Sequence, residues 1–290
     1  MSGPPPGQAR FGVRSMTAPL RRVLVRAPAT EGDFAGAGWR APDAAVLARQ
    51  HEAFCGLLEH LGCEVTVAPA AAGLVDAVYV RDAGLVTGTG AVLFQMAKPA
   101  RQAEPPLLGE ALTAAGVPAV GQLAGAARAD GGDFVWLDEQ TMLAGRSYRT
   151  NAAALGQLRE LLAAEGVTLA SVDVPHDRGP DYVLHLMSFF SPLAADLALV
   201  YPRLAPVALM QELAGRGVDV VAVDDAEYET MACNVLGVRP GVLVMVSGNP
   251  STQAALAARG CEVHTYDGSD VSVKGDGGPT CLTQPVWRAD

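Results

Sequence analysis

Gly62-Cys63-Glu64-Val65-Thr66-Val67-Ala68-Pro69 joins the end of an amphipathic helix pattern to a short apolar strand, and the same junction recurs four more times. The later copies start at Gly116 (VPAVGQL), Gly166 (VTLASVDV), Gly217 (VDVVAVDD) and Gly260 (CEVHTYD). A glycine just past a helix supplies a left-handed cap, and the Val-rich run after it returns the chain to a sheet. Recurrence at roughly fifty-residue spacing marks repeated supersecondary units, each burying its apolar face against its neighbours. Units set in a ring converge at their centre, so polar side chains distant in sequence can meet there.

Working outward, Arg22–Arg26 (RVLVR) reads as a strand and 28–40, glycine-rich around Phe34, as a mobile loop. Pro42 is expected at the first turn of a helix whose apolar stripe holds Val46, Leu47, Phe54, Leu57, Leu58 and Leu61, with His51 and His60 on its surface. Further helices are expected near 105–115, 150–165, 204–216 and 251–259, and strands near 78–81, 91–96, 133–137, 141–145, 182–186, 197–201 and 242–247. Most units carry an extra hairpin-like strand before their helix, as in DFVWLDEQTMLAG (133–145). The fold class is therefore α/β, with a small mixed sheet per repeat rather than one doubly wound sheet. After the first strand RAPATEGDFAG stands where a dinucleotide fold needs G-x-G-x-x-G, so no such cofactor is expected. Residues 1–18, rich in proline and glycine, read as a flexible tail; with no linker-like block beyond them, 19–290 reads as a single domain.

Half of the 290 residues are apolar, enough for a large core, and a net charge of −10 argues against nucleic acid or anionic membranes as partners. Neither a signal-peptide pattern nor an apolar stretch of about 20 residues is present. Five cysteines without a C-x-x-C pair suit free thiols in a reducing compartment, which points to the cytoplasm and to no structural zinc.

Lys274-Gly-Asp-Gly-Gly-Pro-Thr-Cys281-Leu-Thr283 forces a tight turn and presents Cys281 from a loop, where the sulfur can act as a nucleophile. A thiol needs a base or a cationic neighbour, and His185, in the apolar run Tyr182–Met187, is the histidine placed within a central strand. Acidic residues sit at equivalent points of two repeats, in DAVYVRD (76–82) and DGGDF (130–134). Taken singly they are ordinary turn chemistry; together Asp82 and Asp130 offer paired carboxylates to a planar guanidinium cation. Arg101 and Arg149 could hold a substrate carboxylate, although solvated arginine is the commoner role. The cluster Asp173, His176 and Asp177 is thin support for a metal-dependent ureohydrolase.

DAVYVRD, ADGGDF, GRSYRTN, LHLMSFF and GGPTCLT, in this order, resemble the motifs of the guanidine-modifying superfamily, the penteins, from about Arg21 to Arg288. That resemblance, nearest to the dimethylarginine dimethylaminohydrolases, implies five ββαβ units around a central channel and a guanidino amino acid as substrate. It implies Cys281 as nucleophile, His185 as general acid and base, Asp82 and Asp130 on the guanidinium, and Asp76 as a further substrate-side acid. It also places Arg101 and Arg149 on the substrate carboxylate and a lid over 31–40, including Asp33 and Phe34. Neither metal nor organic cofactor is implied, and a homodimer is compatible with it. Two positions depart from their counterparts: Met187 replaces the aspartate of arginine deiminases, and Arg81 the glutamate common in dimethylarginine hydrolases. The implied reaction is hydrolysis of Nω-methylated arginine. The alternatives are arginine deimination, amidino transfer and mere arginine binding.

Overall fold

A computed structural model describes residues 10–182 and 184–289. Residues 1–9 of the expected tail, Val183 of the expected strand 182–186, and Asp290 lie outside them.

The first unit runs β1 (Leu20–Arg26), α1 (Ala44–His60) and β2 (Glu64–Ala68). Next come β3 (Gly84–Val86), β4 (Ala91–Leu93), α2 (Glu104–Ala114) and β5 (Ala119–Gln122), then β6 (Phe134–Asp138), β7 (Thr141–Arg146), α3 (Ala152–Ala163) and β8 (Thr168–Asp173). The fourth unit holds β9 (Phe190–Ala194), β10 (Leu197–Val200), α4 (Val207–Gly215) and β11 (Asp219–Ala222), followed by the short α5 (Asp225–Tyr228). The fifth holds β12 (Leu236–Arg239), β13 (Val242–Val246), α6 (Pro250–Ala257) and β14 (Glu262–Tyr266), and the chain closes on β15 (Gln284–Arg288).

Each unit builds one three-stranded sheet whose middle strand pairs antiparallel on one side and parallel, across the helix, on the other. The first unit lacks its own leading strand; β15 fills the place, so the two ends of the chain share a sheet. Contacts run β15 to β3, between the turns preceding β3 and β6, β6 to the turn preceding β9, β9 to β12, and β12 to β1. The five ββαβ units thus meet in a cycle, as the glycine repeat predicts.

All five repeat glycines adopt positive φ, between 70° and 92°, and each parallel return strand starts two or three residues later. The helix before Gly62 closes with Gly62 N–H donating to Glu59 O and Cys63 N–H to Leu58 O, which satisfies carbonyls the helix end leaves open. Its start differs from the expected one. Pro42 lies before the helix rather than in its first turn, and Asp43 caps α1, its carboxylate accepting from the Ala45 and Val46 N–H groups. Leu47, Phe54 and Leu58 are sealed beneath it, each contributing roughly 1.5–3 kcal/mol by burial. His51 lies on that same face and is buried, contrary to the surface position read from the sequence.

Of the segment expected as a tail, the described part is held against the fold. Gly12 pairs with Val286 and Arg288 through the backbone, Val13 is buried, and Ala18 O accepts from the Arg288 guanidinium. Among the described residues no helix is long and apolar enough to cross a membrane.

Candidate active site

The segment expected as a strand at 78–81 is instead two successive 3-10 turns, 75–78 and 80–83. An alternating pattern predicts a strand only where one face meets solvent, and here 75–83 is buried on every side. With three residues per turn, positions three apart share a face, which stacks Asp76, Tyr79 and Asp82 along one wall. All three line a cavity of about 430 Å³ at the ring centre, with Arg101, Arg149, His185 and Cys281.

His185 is likewise outside a strand, directly preceding a 3-10 turn (186–188), its N–H donating to Ser188 Oγ at 3.0 Å. Gly131–Asp133 is a fourth such turn, and the two glycines' lack of side chains is what lets the centre close. A Cβ on Gly131 would lie 2.0 Å from Arg81 O, and one on Gly132 would lie 2.6 Å from His185 Nδ1. Gly132 N–H donates to Asp82 Oδ1 at 3.2 Å, tying the two acidic segments together.

Asp130 does not line the cavity. It is wholly buried with Oδ2 3.3 Å from His185 Nε2 and 3.2 Å from Arg149, while Oδ1 has no hydrogen-bond partner among the described residues. Asp133, three residues on, takes Ser147 Oγ at 2.6 Å and Leu186 N–H at 2.9 Å, and burial pushes it up to about 6. Burial alone would lower the His185 pKa, but Asp133, the hydrogen bond with Asp130, and Asp82 outweigh it and raise the net value. The charged imidazolium is thus favoured more than in a free histidine, a direction that suits a general acid.

Cys281 sits where the glycine-rich turn expected at 274–283 ends, its N–H bonded to Gly278 O. Its sulfur is 3.7 Å from Asn234 Nδ2 and 4.0 Å from Thr280 Oγ1. Burial, then the Asp82 charge, pushes the thiol up to about 11, so the protein groups around it favour the thiol. A smaller annex, lined by His185, Met187, Tyr228, Met231, Cys233 and Asn234, opens on the other side of the sulfur.

Arg101 is not free for a substrate carboxylate. It donates to Glu104 through two nitrogens and to Asp82 Oδ2 at 2.7 Å, and reaches the Asp76 and Tyr79 carbonyls. Against the cost of burial, Arg101 holds Asp82 below the usual carboxylate range. Arg149 spends one nitrogen on Asp130, and its side chain borders the cavity.

Part of the segment 31–40 borders the cavity, but Asp33 and Phe34 are not among its lining residues. Asp33 accepts from Gly36 N–H, Phe34 packs edge-on against Trp39, and Ala35 to Gly38 with Arg40 line the cavity. Trp39 Nε1–H donates to Asp76 Oδ1 at 2.7 Å and the indole stacks on Tyr79. Lys98 bridges Asp76 Oδ2, at 2.6 Å, to Ala37 O.

Sequence reasoning passed over Trp39, Lys98, Glu104, Asp133 and Asn234. Asp133 was visible as the second acid of DGGD and Glu104 as the i+3 neighbour of Arg101; Trp39, Lys98 and Asn234 act through contacts no local spacing encodes. Among the described residues no group of three His, Cys, Asp or Glu is placed to hold a metal; Asp173 pairs with Arg146, and His176 with Tyr148. A larger cavity of about 610 Å³ beside Gln95 and Arg128 includes none of these site residues.

The family model of eukaryotic N,N dimethylarginine dimethylhydrolase matches residues 43–288. Protein YkgA of Bacillus subtilis (strain 168) is 29% identical over 83% of this chain and 80% of its own. The arginine deiminase of Mycoplasma capricolum subsp. capricolum is 26% identical over 56% of this chain and 47% of its own, about half its length. A mutant of the dimethylarginine dimethylaminohydrolase from Pseudomonas aeruginosa, in complex with citrulline, superposes with a TM-score of 0.76 at 20% identity, covering 92% of this chain and 99% of that one. The match over nearly the whole ring establishes that the chain belongs to the N,N dimethylarginine dimethylhydrolase family, a branch of the pentein superfamily.

Proposed function

We propose that the protein hydrolyses a guanidino carbon–nitrogen bond of an Nω-methylated arginine, yielding citrulline and an alkylamine. The observation that carries this reading is one cavity bordered together by Cys281, His185, Asp82 and Asp76. The substrate cation is drawn to the Asp76–Asp82 wall, where Asp82 shares its carboxylate between Arg101 and the incoming guanidinium. Its charge, next to Cys281, lowers the thiol pKa, so nucleophile and substrate are activated by the same event. The thiolate attacks the guanidino carbon, and His185, held by Asp130, protonates the departing amine. Water, deprotonated by His185, then releases citrulline and restores the thiol. Arg149 takes the amino-acid carboxylate, because Arg101 is committed to Glu104 and Asp82. No step calls on a metal or an organic cofactor.

Met187 supports the alkylated substrate. It is buried in the annex beside Tyr228 and Met231, surroundings that offer methyl groups apolar contact. The arginine deiminase relatives favour a second reading, release of ammonia from arginine itself. Incubation with arginine, monomethylarginine and asymmetric dimethylarginine, with mass spectrometry of all products, separates the two. Citrulline with methylamine or dimethylamine is expected; ammonia from arginine alone would select deimination, and ornithine would select amidino transfer. Cys281→Ser should lower turnover at least about 10³-fold while its thermal unfolding matches the parent. A fully active variant would remove the nucleophile from the scheme.

A further inference from the structure

Asn234 stands between α5 and β12, buried at 6% exposure, and borders the annex with Cys281. Its side-chain oxygen accepts from Thr280 N–H at 3.1 Å and from Thr280 Oγ1 at 2.9 Å. A backbone N–H can only donate, so the amide oxygen must face Thr280 and the NH₂ group must face the sulfur, 3.7 Å away. The position is braced on both sides. Ser191 Oγ in β9 donates to Cys233 O at 2.7 Å and accepts from Val235 N–H at 3.3 Å. Across the gap Gly278 leaves room for the amide, since a Cβ there would lie 2.4 Å from Asn234 Cγ.

We propose that Asn234 is a positioning residue that clamps the nucleophile loop through Thr280 and donates an N–H to the Cys281 sulfur, favouring the thiolate. A hydrogen bond to a charged acceptor strengthens as the charge forms, so the amide stabilises the anion more than the thiol. The Asp82 carboxylate disfavours that anion, and Asn234 is an opposing influence built into the protein itself. This inference rests on Cys281 being the nucleophile, and its test reads the sulfur directly, without turnover.

The rate of Cys281 alkylation by iodoacetamide, mapped by peptide mass spectrometry across pH 6–11, compares the parent with Asn234→Ala and Asn234→Asp. The aspartate keeps both acceptor contacts to Thr280 but offers the sulfur no donor and an added negative charge. The proposal expects alkylation at fixed pH to be about tenfold slower in Asn234→Ala, equivalent to about one pH unit in the thiol, and slower still in Asn234→Asp, where the lost donor and the added charge act together. An unchanged rate in Asn234→Asp overturns the proposal, whether or not the alanine variant folds. Full activity in Cys281→Ser would instead overturn the function reading, so the two failures are distinguishable.

Discussion

His51 on α1 and His185 at the ring centre are buried to nearly the same degree, 4% and 6% exposed, and their surroundings push them in opposite directions. His51 faces Cys55 Sγ at 3.7 Å with its Nε2 unpartnered, and burial pushes it down to about 4. His185, with three aspartates around it, is raised despite its own burial. The contrast belongs to the two layers of the ring. Outer helices and return strands are held by apolar area, which tolerates small errors because many contacts share the load. The inner turns are held by charges and close backbone approaches, where a single atom out of place has no substitute.

The sharpest way to break that contrast is to add one carbon to the inner layer. Gly131→Ala places a methyl 2.0 Å from Arg81 O, a backbone atom that cannot swing aside. Relief requires moving the Asp82 turn or the Asp130 turn, so the expected cost is about 3 kcal/mol or more, with loss of activity. Urea unfolding with a citrulline assay on the surviving fold measures both. A parental midpoint would show that the centre is softer than its packing implies.

The histidines sharpen the comparison through pH. In the unfolded chain His51 titrates near the ordinary 6.5, and folding depresses it to about 4. Between these values the unfolded chain binds more protons, so stability is complete above pH 6.5 and is lost as pH falls towards 4. His185, raised, does the opposite: its contribution is complete below the unfolded value and fades as pH climbs past the raised one. Acid lability in this window is therefore assigned to the outer layer. His51→Leu should remove about 2–3 kcal/mol of the stability difference between pH 7 and pH 4.5, read from urea midpoints. An unchanged difference would place the acid sensitivity elsewhere.

The two layers also differ in what the sequence discloses. The outer layer is local: a helix, a left-handed glycine and a return strand are consecutive, and all five junctions are where their spacing puts them. The inner layer is assembled from turns of different units. Residues 75–83 carry a strand-like alternation, but their neighbours bury both faces, and the chain coils into 3-10 turns instead. Most of the central residues were legible as types once the acidic turns of two repeats were read together with the glycine-rich turn that carries the thiol. Their partners were not. The i,i+3 spacing allows the Arg101–Glu104 pair, but nothing near position 101 announces Asp82, and nothing near 234 announces Thr280 and Cys281. His51 is a different case. Its spacing from Leu47, Phe54, Cys55 and Leu58 already sets it on the buried face, and only its polarity argued otherwise.

The mildest test returns to the glycine repeat itself. Gly166 has φ +74°, and a Cβ added there meets nothing within 4 Å. Gly166→Ala therefore isolates the backbone preference for right-handed conformations from any clash. The expected cost is about 1–2 kcal/mol, with citrulline formation unchanged, since the cap lies on the rim and touches no central residue. Gly131 has the reverse profile, an ordinary φ in a crowded place. The same substitution thus reads conformation at the rim and contact at the centre. If Gly166→Ala impaired catalysis as strongly as stability, the rim could not be an independent scaffold, and the division into two layers would have to give way to a single cooperative unit.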